Sequence, residues 1–272
     1  MKHINRPQPF VLSATNFGTL IVNHLDRQTN LAGHTYGVGY QFLSTGSFDP
    51  KEIRNVLALL NLRRKYFGDN VVALDCGANI GAHTIPWSIE MTGWGEVIAI
   101  EAQERIYYAL AGNIALNNCF NAKAIYSAIG NPVASQPASQ PMIDIPIVDY
   151  NTPSSFGSLE LRQNTNNEFI GQPIDYQKTQ KIPLISVDSL QLKRLDFLKI
   201  DVEGMELETL TGGLRTIKQH LPILSVEVLK SGHQGIVDLL SPLGYQFFPM
   251  DINILAIHND DPTLKHISSS SQ

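Results

Sequence analysis

Cysteine is nearly missing from the 272-residue chain: two occur, Cys76 and Cys119, and they form no Cys-x-x-Cys pair. That excludes a disulfide scaffold and a thiolate metal site, and it fits a reducing compartment. Positive charge is also scarce. Twenty Lys and Arg stand against 25 Asp and Glu, a net charge of −5, and the basic residues do not cluster with aromatics. A chain without a basic face is not built to grip a nucleic-acid backbone. No apolar run approaches the roughly 20 residues of a membrane span, and the start, Met1-Lys-His-Ile-Asn-Arg6, lacks the apolar stretch of a signal peptide. The expected location is therefore the cytoplasm, with neither nucleic acid nor membrane among the partners.

What the chain does have is length enough for one large core, since α/β domains run to 200–250 residues before they split. Its most informative stretch is Val71-Val-Ala-Leu-Asp-Cys-Gly-Ala-Asn-Ile-Gly81, an apolar strand that runs into a tight turn. Gly77 and Gly81 remove side chains from the turn, and Asn79 between them is the non-glycine residue that best tolerates a left-handed conformation. A helix is expected from about Ala82, with free N–H groups above the strand end. A dinucleotide fingerprint spaces its glycines G-x-G-x-x-G; here the spacing is two and two, and Asp75 stands two residues before the first. That acid would repel a pyrophosphate and suit a positive charge, such as an amino group beside a sulfonium.

Glu96-Val-Ile-Ala-Ile-Glu101 reads as a second buried strand, and its terminal acid lies 20 residues after Gly81. An acid so placed accepts the ribose hydroxyls in nucleotide-binding α/β folds. A third strand, Asp196-Phe-Leu-Lys-Ile-Asp-Val-Glu-Gly-Met205, ends in two carboxylates and a glycine. Helix capping would account for Asp201 but not for Glu203 or Gly204. The stripe Leu207, Leu210, Leu214 and Ile217 predicts one helix after it.

These blocks, with Asn113-Ile-Ala-Leu-Asn117 between them, resemble the FkbM-type S-adenosylmethionine-dependent methyltransferases of the class I, Rossmann-like group. The resemblance covers roughly residues 65 to 258. It implies an α/β fold: a doubly wound, mostly parallel seven-stranded sheet with an antiparallel last strand. It further implies S-adenosyl-L-methionine bound by Asp75, Gly77, Ala78, Asn79, Gly81, Thr84, Glu101, Gln103 and Asp201. At Glu101-Ala-Gln-Glu104 the chain departs from the Glu-Pro of many members, which weakens Gln103 as an adenine contact.

Residues 1–70 form an N-terminal extension, with a short strand at Phe17–Val22 and a helix that starts at Asp49-Pro50 and packs Ile53, Val56, Leu57 and Leu60 on the sheet. Residues 71–260 form the methyltransferase domain. They include a third strand at Ala122–Ile129 and a closing antiparallel pair, Tyr245–Phe248 and Ile252–Ile257. Residues 130–183 break the α/β order; rich in Pro, Ser, Asn and Gln, they read as a β-hairpin excursion or flap that brings Ser155 to Ser158 near the ligand, with a partly disordered insertion as the alternative. Residues 261–272 are expected as a disordered tail.

Methyl transfer to an alcohol needs the acceptor positioned, water excluded and a proton removed. Asp201, Glu203 and Glu227 are the candidate catalytic acids, with His258 and His83 weaker and Lys230 read as a solvated loop charge. A Mg²⁺ ion on the three carboxylates stays open beside a protein base. The expected reaction is O-methylation of a small molecule or sugar unit. An NAD-type oxidoreductase is the alternative, and a non-catalytic cofactor-binding module the third reading. The sequence names neither the acceptor nor the oligomeric state.

Overall fold

The computed structural model describes residues 6–132 and 140–267; the serine-rich end at 268–272 and the part of the insertion at 133–139 lie outside the described residues. The extension opens with Phe10–Thr15 (β1) and Gly18–Asn23 (β2), an antiparallel hairpin. Gln28–Thr29 (β3) and Thr35–Tyr36 (β4) make a second, short one. Helices Val38–Thr45 (α1) and Pro50–Phe67 (α2) follow. Pro50 takes the first position of α2, where its missing N–H costs nothing. Asp49 does not cap it: the residue sits at φ 33° with no side-chain cap bond. The helix buries Ile53, Val56, Leu59 and Leu60, and Leu57 packs half-buried against the same cluster, so Leu59 joins the face expected from the sequence.

Val71–Cys76 (β5), Thr84–Glu90 (α3), Gly95–Glu101 (β6), Glu104–Leu116 (α4) and Ala122–Tyr126 (β7) build one half of the main sheet. The expected third strand ends early, at Tyr126. Ser127 turns the chain by donating to the carbonyl of Pro183, and Ala128–Ile129 (β8) leaves for a second sheet. That sheet has the order β8-β10-β9, with Met142–Pro146 (β9) and Thr179–Ile185 (β10) antiparallel from Pro146↔Thr179 to Met142↔Pro183. The rest of the main sheet comes from Phe197–Ile200 (β11), Glu206–Thr211 (α5), Leu214–His220 (α6), Ile223–Glu227 (β12), His233–Leu240 (α7), Tyr245–Met250 (β13) and Asn253–His258 (β14). The single helix expected over 207–217 is two. Gly212 and Gly213, two poor helix formers in succession, separate them, and residue 212 must be glycine because a Cβ there would lie 2.2 Å from the carbonyl oxygen of Gly130.

The seven strands run β13-β14-β12-β11-β5-β6-β7, all parallel except β14, which opposes both its neighbours. This is the class I methyltransferase arrangement. Every residue of β5, β11 and β12 is buried, as continuous apolar runs in a sheet covered on both faces require. Trp87 of α3 and Met91 just after it join Val56 and Leu60 of α2 over one face, and Leu210, Ile217, Ile236 and Leu240 cover the other. Burial of each such side chain contributes about 1.5–3 kcal/mol. The chain order reverses between β5 and β11, so the crevice for a ligand opens at their carboxyl ends.

Two additions wall that crevice. Phe156, Leu159 and Ile170 of the insertion share one buried cluster with Leu20, Val22 and Phe42 of the extension, and a parallel bridge joins Asp26 to Ser154. Asn113 and Asn117, one turn apart on α4, hold the extension in place. Asn113 accepts from the Ile21 N–H at 2.5 Å and donates to the Ile80 carbonyl at 2.8 Å, and Asn117 pairs with both backbone groups of Thr19. The first residues of the expected tail are ordered. Residues 262–266 form a 3-10 turn capped by Asp261, and Asp261 accepts a hydrogen bond from buried Arg63. No helix among the described residues is long and apolar enough to cross a membrane.

Candidate active site

A cavity of about 330 Å³ lies over the carboxyl ends of β5, β6, β11 and β12, within the range of small-ligand sites. On one side are the loop Gly77–Asn79 and the end of β6. Asn79 adopts φ 51°, the left-handed conformation its position demands. The loop spends its donors internally: the N–H groups of Gly77 and Ala78 go to the Ile100 carbonyl, Asn79 to Glu101, Ile80 to the Asn79 side chain and Gly81 to the Ala78 carbonyl. The N–H groups of residues 77–81 are thus spent within the loop, and the free donors expected from about Ala82 fall to Ala82 and His83, which line the cavity.

The glycines do different work from that expected. A Cβ on Gly77 would lie 1.7 Å from the carbonyl oxygen of Asp201, and φ is +79°, so the glycine lets β11 pass close to the loop. A Cβ on Gly81 would meet Leu110 and Ile85, where the helices pack. Gly81, Asp75 and Thr84 all stand behind the cavity wall. Asp75 is fully buried, accepts from the Thr84 hydroxyl at 2.7 Å and lies 3.9 Å from the Lys199 ammonium.

Glu101 does face the cavity. Its two oxygens take the N–H groups of Asn79 and Gln103, and burial pushes its pKa up to about 7 against those bonds. Gln103 lines the same wall, but its amide donates to the Phe156 carbonyl and accepts from the Tyr150 hydroxyl. It clamps the insertion to the end of β6. Ser155 and Ser158 line the cavity as the flap reading expected.

Across the cavity stand the acids. Asp201, Glu203 and Glu227 each bring one oxygen within 4.8 Å of the other two. The register pairs Ile200 with Val226, so Asp201 and Glu227 leave adjacent parallel strands side by side. Beyond Ile200 the strand stops: Glu203 takes φ 53° and Gly204 φ 94°. Glu206 fixes that turn by accepting from the N–H groups of Val202 and Gly204. Burial first, then the Asp201 and Glu206 charges, push Glu227 up to about 8. Burial and Asp201 likewise raise Glu203.

Two lysines complete this side, and the sequence reading missed both. Lys199 is buried in β11, 2.9 Å from Asp201. A charge inside a fully buried strand is rare unless paired, so its position was the available signal. Lys230 is no solvated loop charge: it contacts Glu203, lies 3.4 Å from Glu168 and donates to the Ser158 carbonyl at 3.0 Å. Asp49 and Tyr36 of the extension also line the cavity. His83 does too, but burial and the nearby Lys199 charge hold its pKa well below the ordinary value, so it is neutral. His258 is excluded as a base. The antiparallel register carries it from Asn253, beside Glu227, to the opposite sheet edge.

A family model, the methyltransferase FkbM domain, matches residues 75–247. No curated protein matches the chain. Among solved structures, an FkbM methyltransferase from Methylobacillus flagellatus KT is similar at 18% identity, with 80% of this chain and 58% of that one covered and a TM-score of 0.45. M. jannaschii TYW2 in complex with AdoMet is similar at 13% identity, with 93% and 86% covered and a TM-score of 0.44. A precorrin-6y C5,15-methyltransferase from Geobacter metallireducens gives 14%, 79% and 90%, and 0.40. This chain thus spans little more than half the length of the Methylobacillus protein. With the family model over more than half of its residues and the strand order of that fold in its sheet, the chain belongs to the FkbM methyltransferase family.

Proposed function

We propose that the protein transfers a methyl group from S-adenosylmethionine to a hydroxyl of a small molecule or sugar unit. The cofactor fits the residues present: Glu101 offers a carboxylate to a ribose, Ala102 and Ile129 offer an apolar wall to a base, and residues 77–81 hold out no N–H groups to a phosphate. When bound, S-adenosylmethionine supplies an electrophilic methyl group on a sulfonium. Glu101, Ala78, Asn79 and the wall at Gln103 would hold it, while Asp75 and Thr84 set the loop from below through Lys199 and Asp201.

The chain's own chemistry lies opposite. Glu227 is the proposed proton acceptor: a carboxylate that titrates near 8 keeps a proton taken from a hydroxyl better than an exposed one. Lys199 fixes Asp201, and Lys230 fixes Glu203, so both carboxylates are placed to orient the acceptor. The insertion and the extension exclude water. A small acceptor suits a cavity closed on two sides by these additions, and its wall of carboxylates suits no phosphate chain. The observation that carries this reading is the pairing, in one cavity, of Glu101 after β6 with a proton-hungry Glu227 after β12. Incubation with methyl-labelled S-adenosylmethionine and fractionated cell extract, with the labelled product identified by mass spectrometry, tests it. Label on a hydroxyl oxygen supports the proposal; label on carbon or nitrogen refutes the O-methyl assignment.

A further inference from the structure

The acid side of the cavity is short of positive charge. Lys199 is shared by Asp201 at 2.9 Å and Asp75 at 3.9 Å. Lys230 is shared by Glu203, Glu168 at 3.4 Å and Glu160 at 3.9 Å. Two ammonium groups thus serve five carboxylates before Glu227 is reached, and Glu227 has no lysine. One of its oxygens, Oε2, is buried with no hydrogen-bond partner, although the residue is only 5% exposed and lines the cavity. Buried carboxylate oxygens without a donor are uncommon, because the group gives up water and receives nothing in return.

The geometry says what is missing. Two oxygens bound to one ion lie at most two bond lengths apart, about 4 Å for the 2.0–2.1 Å bonds of Mg²⁺ and about 5 Å for the 2.3–2.6 Å bonds of Ca²⁺, so the smaller ion would draw the side chains together by less than about 1 Å. The oxygens of Asp201, Glu203 and Glu227 fall within 4.8 Å of one another, and all three donors are carboxylates. Glu203 reaches the group only because its backbone takes the left-handed conformation at φ 53°, which costs a non-glycine residue energy and which Glu206 holds in place. We propose that Asp201, Glu203 and Glu227 form a site for one hard divalent cation of the Mg²⁺ or Mn²⁺ type, with water on the positions facing the cavity. The site stands on its own geometry. Its use, the stabilisation of an acceptor's alkoxide in place of a purely protein base, rests on the methyl-transfer reading.

Mn²⁺ titrated into the metal-free protein, followed by electron paramagnetic resonance, tests the site without any acceptor. One Mn²⁺ per chain is expected, with a Kd of about 10⁻⁵–10⁻³ M, and Mg²⁺ should displace it. Glu227→Gln should weaken binding at least about tenfold, and Lys230→Met should tighten it by releasing Glu203. Where Glu227→Gln fails to fold, Glu203→Gln carries the same expectation. No bound Mn²⁺ at millimolar concentration, or affinity unchanged in both amide variants, overturns the site. Expulsion of Mn²⁺ one for one by S-adenosylhomocysteine overturns it too, because the amino group of that ligand would then be the missing cation. Failure of S-adenosylhomocysteine to bind the wild type would count against the methyl-transfer reading and leave the Mn²⁺ result intact.

Discussion

The two sides of the cavity are built on opposite principles. On the side of β5 and β6, each N–H of the loop 77–81 has a partner and both oxygens of Glu101 are engaged. On the side of β11 and β12, carboxylates outnumber ammonium groups, one oxygen of Glu227 has no donor, and Glu203 sits in a strained conformation. A satisfied surface recognises a ligand by shape and a few fixed bonds. An unsatisfied one stores free energy that a proton, a cation or a reacting group can release. On the proposed function, that difference would divide binding and chemistry between the two halves of the sheet.

The sharpest way to break that division is Glu227→Gln. It should lower the rate of methyl transfer by about 10²–10⁴-fold while leaving S-adenosylhomocysteine affinity within about threefold. Steady-state rates on the identified acceptor, beside calorimetry, would show it. Comparable losses in rate and in cofactor affinity would mean that the two sides are one.

Gly77→Ala attacks the seam between the sides. Its new Cβ would be driven against the Asp201 carbonyl at 1.7 Å, at a positive φ. A loss of about 3–4 kcal/mol is expected, or a fall in Tm of roughly 10 °C for a chain of this size. An unchanged melting curve would contradict the close approach.

Both sides of the cavity were partly legible in the sequence: Asp201, Glu203 and Glu227 line it together with Gly77, Ala78, Asn79, Glu101 and Gln103, whereas Asp75, Gly81 and Thr84 do not. Strand, turn and acid over 71–101 are local: Asn79 announces its own backbone conformation, and the spacing from Gly81 to Glu101 is the length of one helix and one strand. The seven-stranded sheet with its antiparallel last strand was what the family resemblance implied, and the short link at 249–251 pointed to the antiparallel closing pair. What the sequence concealed were pairings across long stretches of chain. Nothing near Lys230 points to Glu168 in the insertion, and nothing near Gln103 points to Phe156. The helix over 207–217 was read as continuous because its apolar stripe is regular. The break falls at Gly212-Gly213, and the close approach of Gly130 that demands glycine at 212 is distant in sequence. Asp75 looked like a ligand contact because burial is not visible in a motif.

The unmet charge also sets a pH dependence. An acid whose folded pKa is raised holds more protons folded than unfolded, so its stabilising share is whole below the unfolded value near 4.5 and is lost as pH rises through the folded one. Glu227 titrates near 8, and Glu52 and Glu101 near 7. The share of Glu227 alone, about 3 kcal/mol, should therefore be lost between pH 5.5 and about 8.5 in the ligand-free protein. Glu227→Gln should flatten that slope in a series of thermal melts, and a slope identical to wild type would remove Glu227 from the account.

The smallest effect belongs to the satisfied side, and it bears most directly on the central claim. Glu101→Ala removes a ribose acceptor, and it should weaken cofactor binding by about 1–3 kcal/mol. The decisive measurement is one calorimetric series in which S-adenosylhomocysteine is titrated into wild type, Glu101→Ala and Glu227→Gln, with NADH as control. The division of labour predicts one site in wild type, affinity reduced roughly 5- to 150-fold in Glu101→Ala, near-wild-type affinity in Glu227→Gln, and no heat from NADH. NADH binding in place of S-adenosylhomocysteine, or equal losses in both variants, would contradict it.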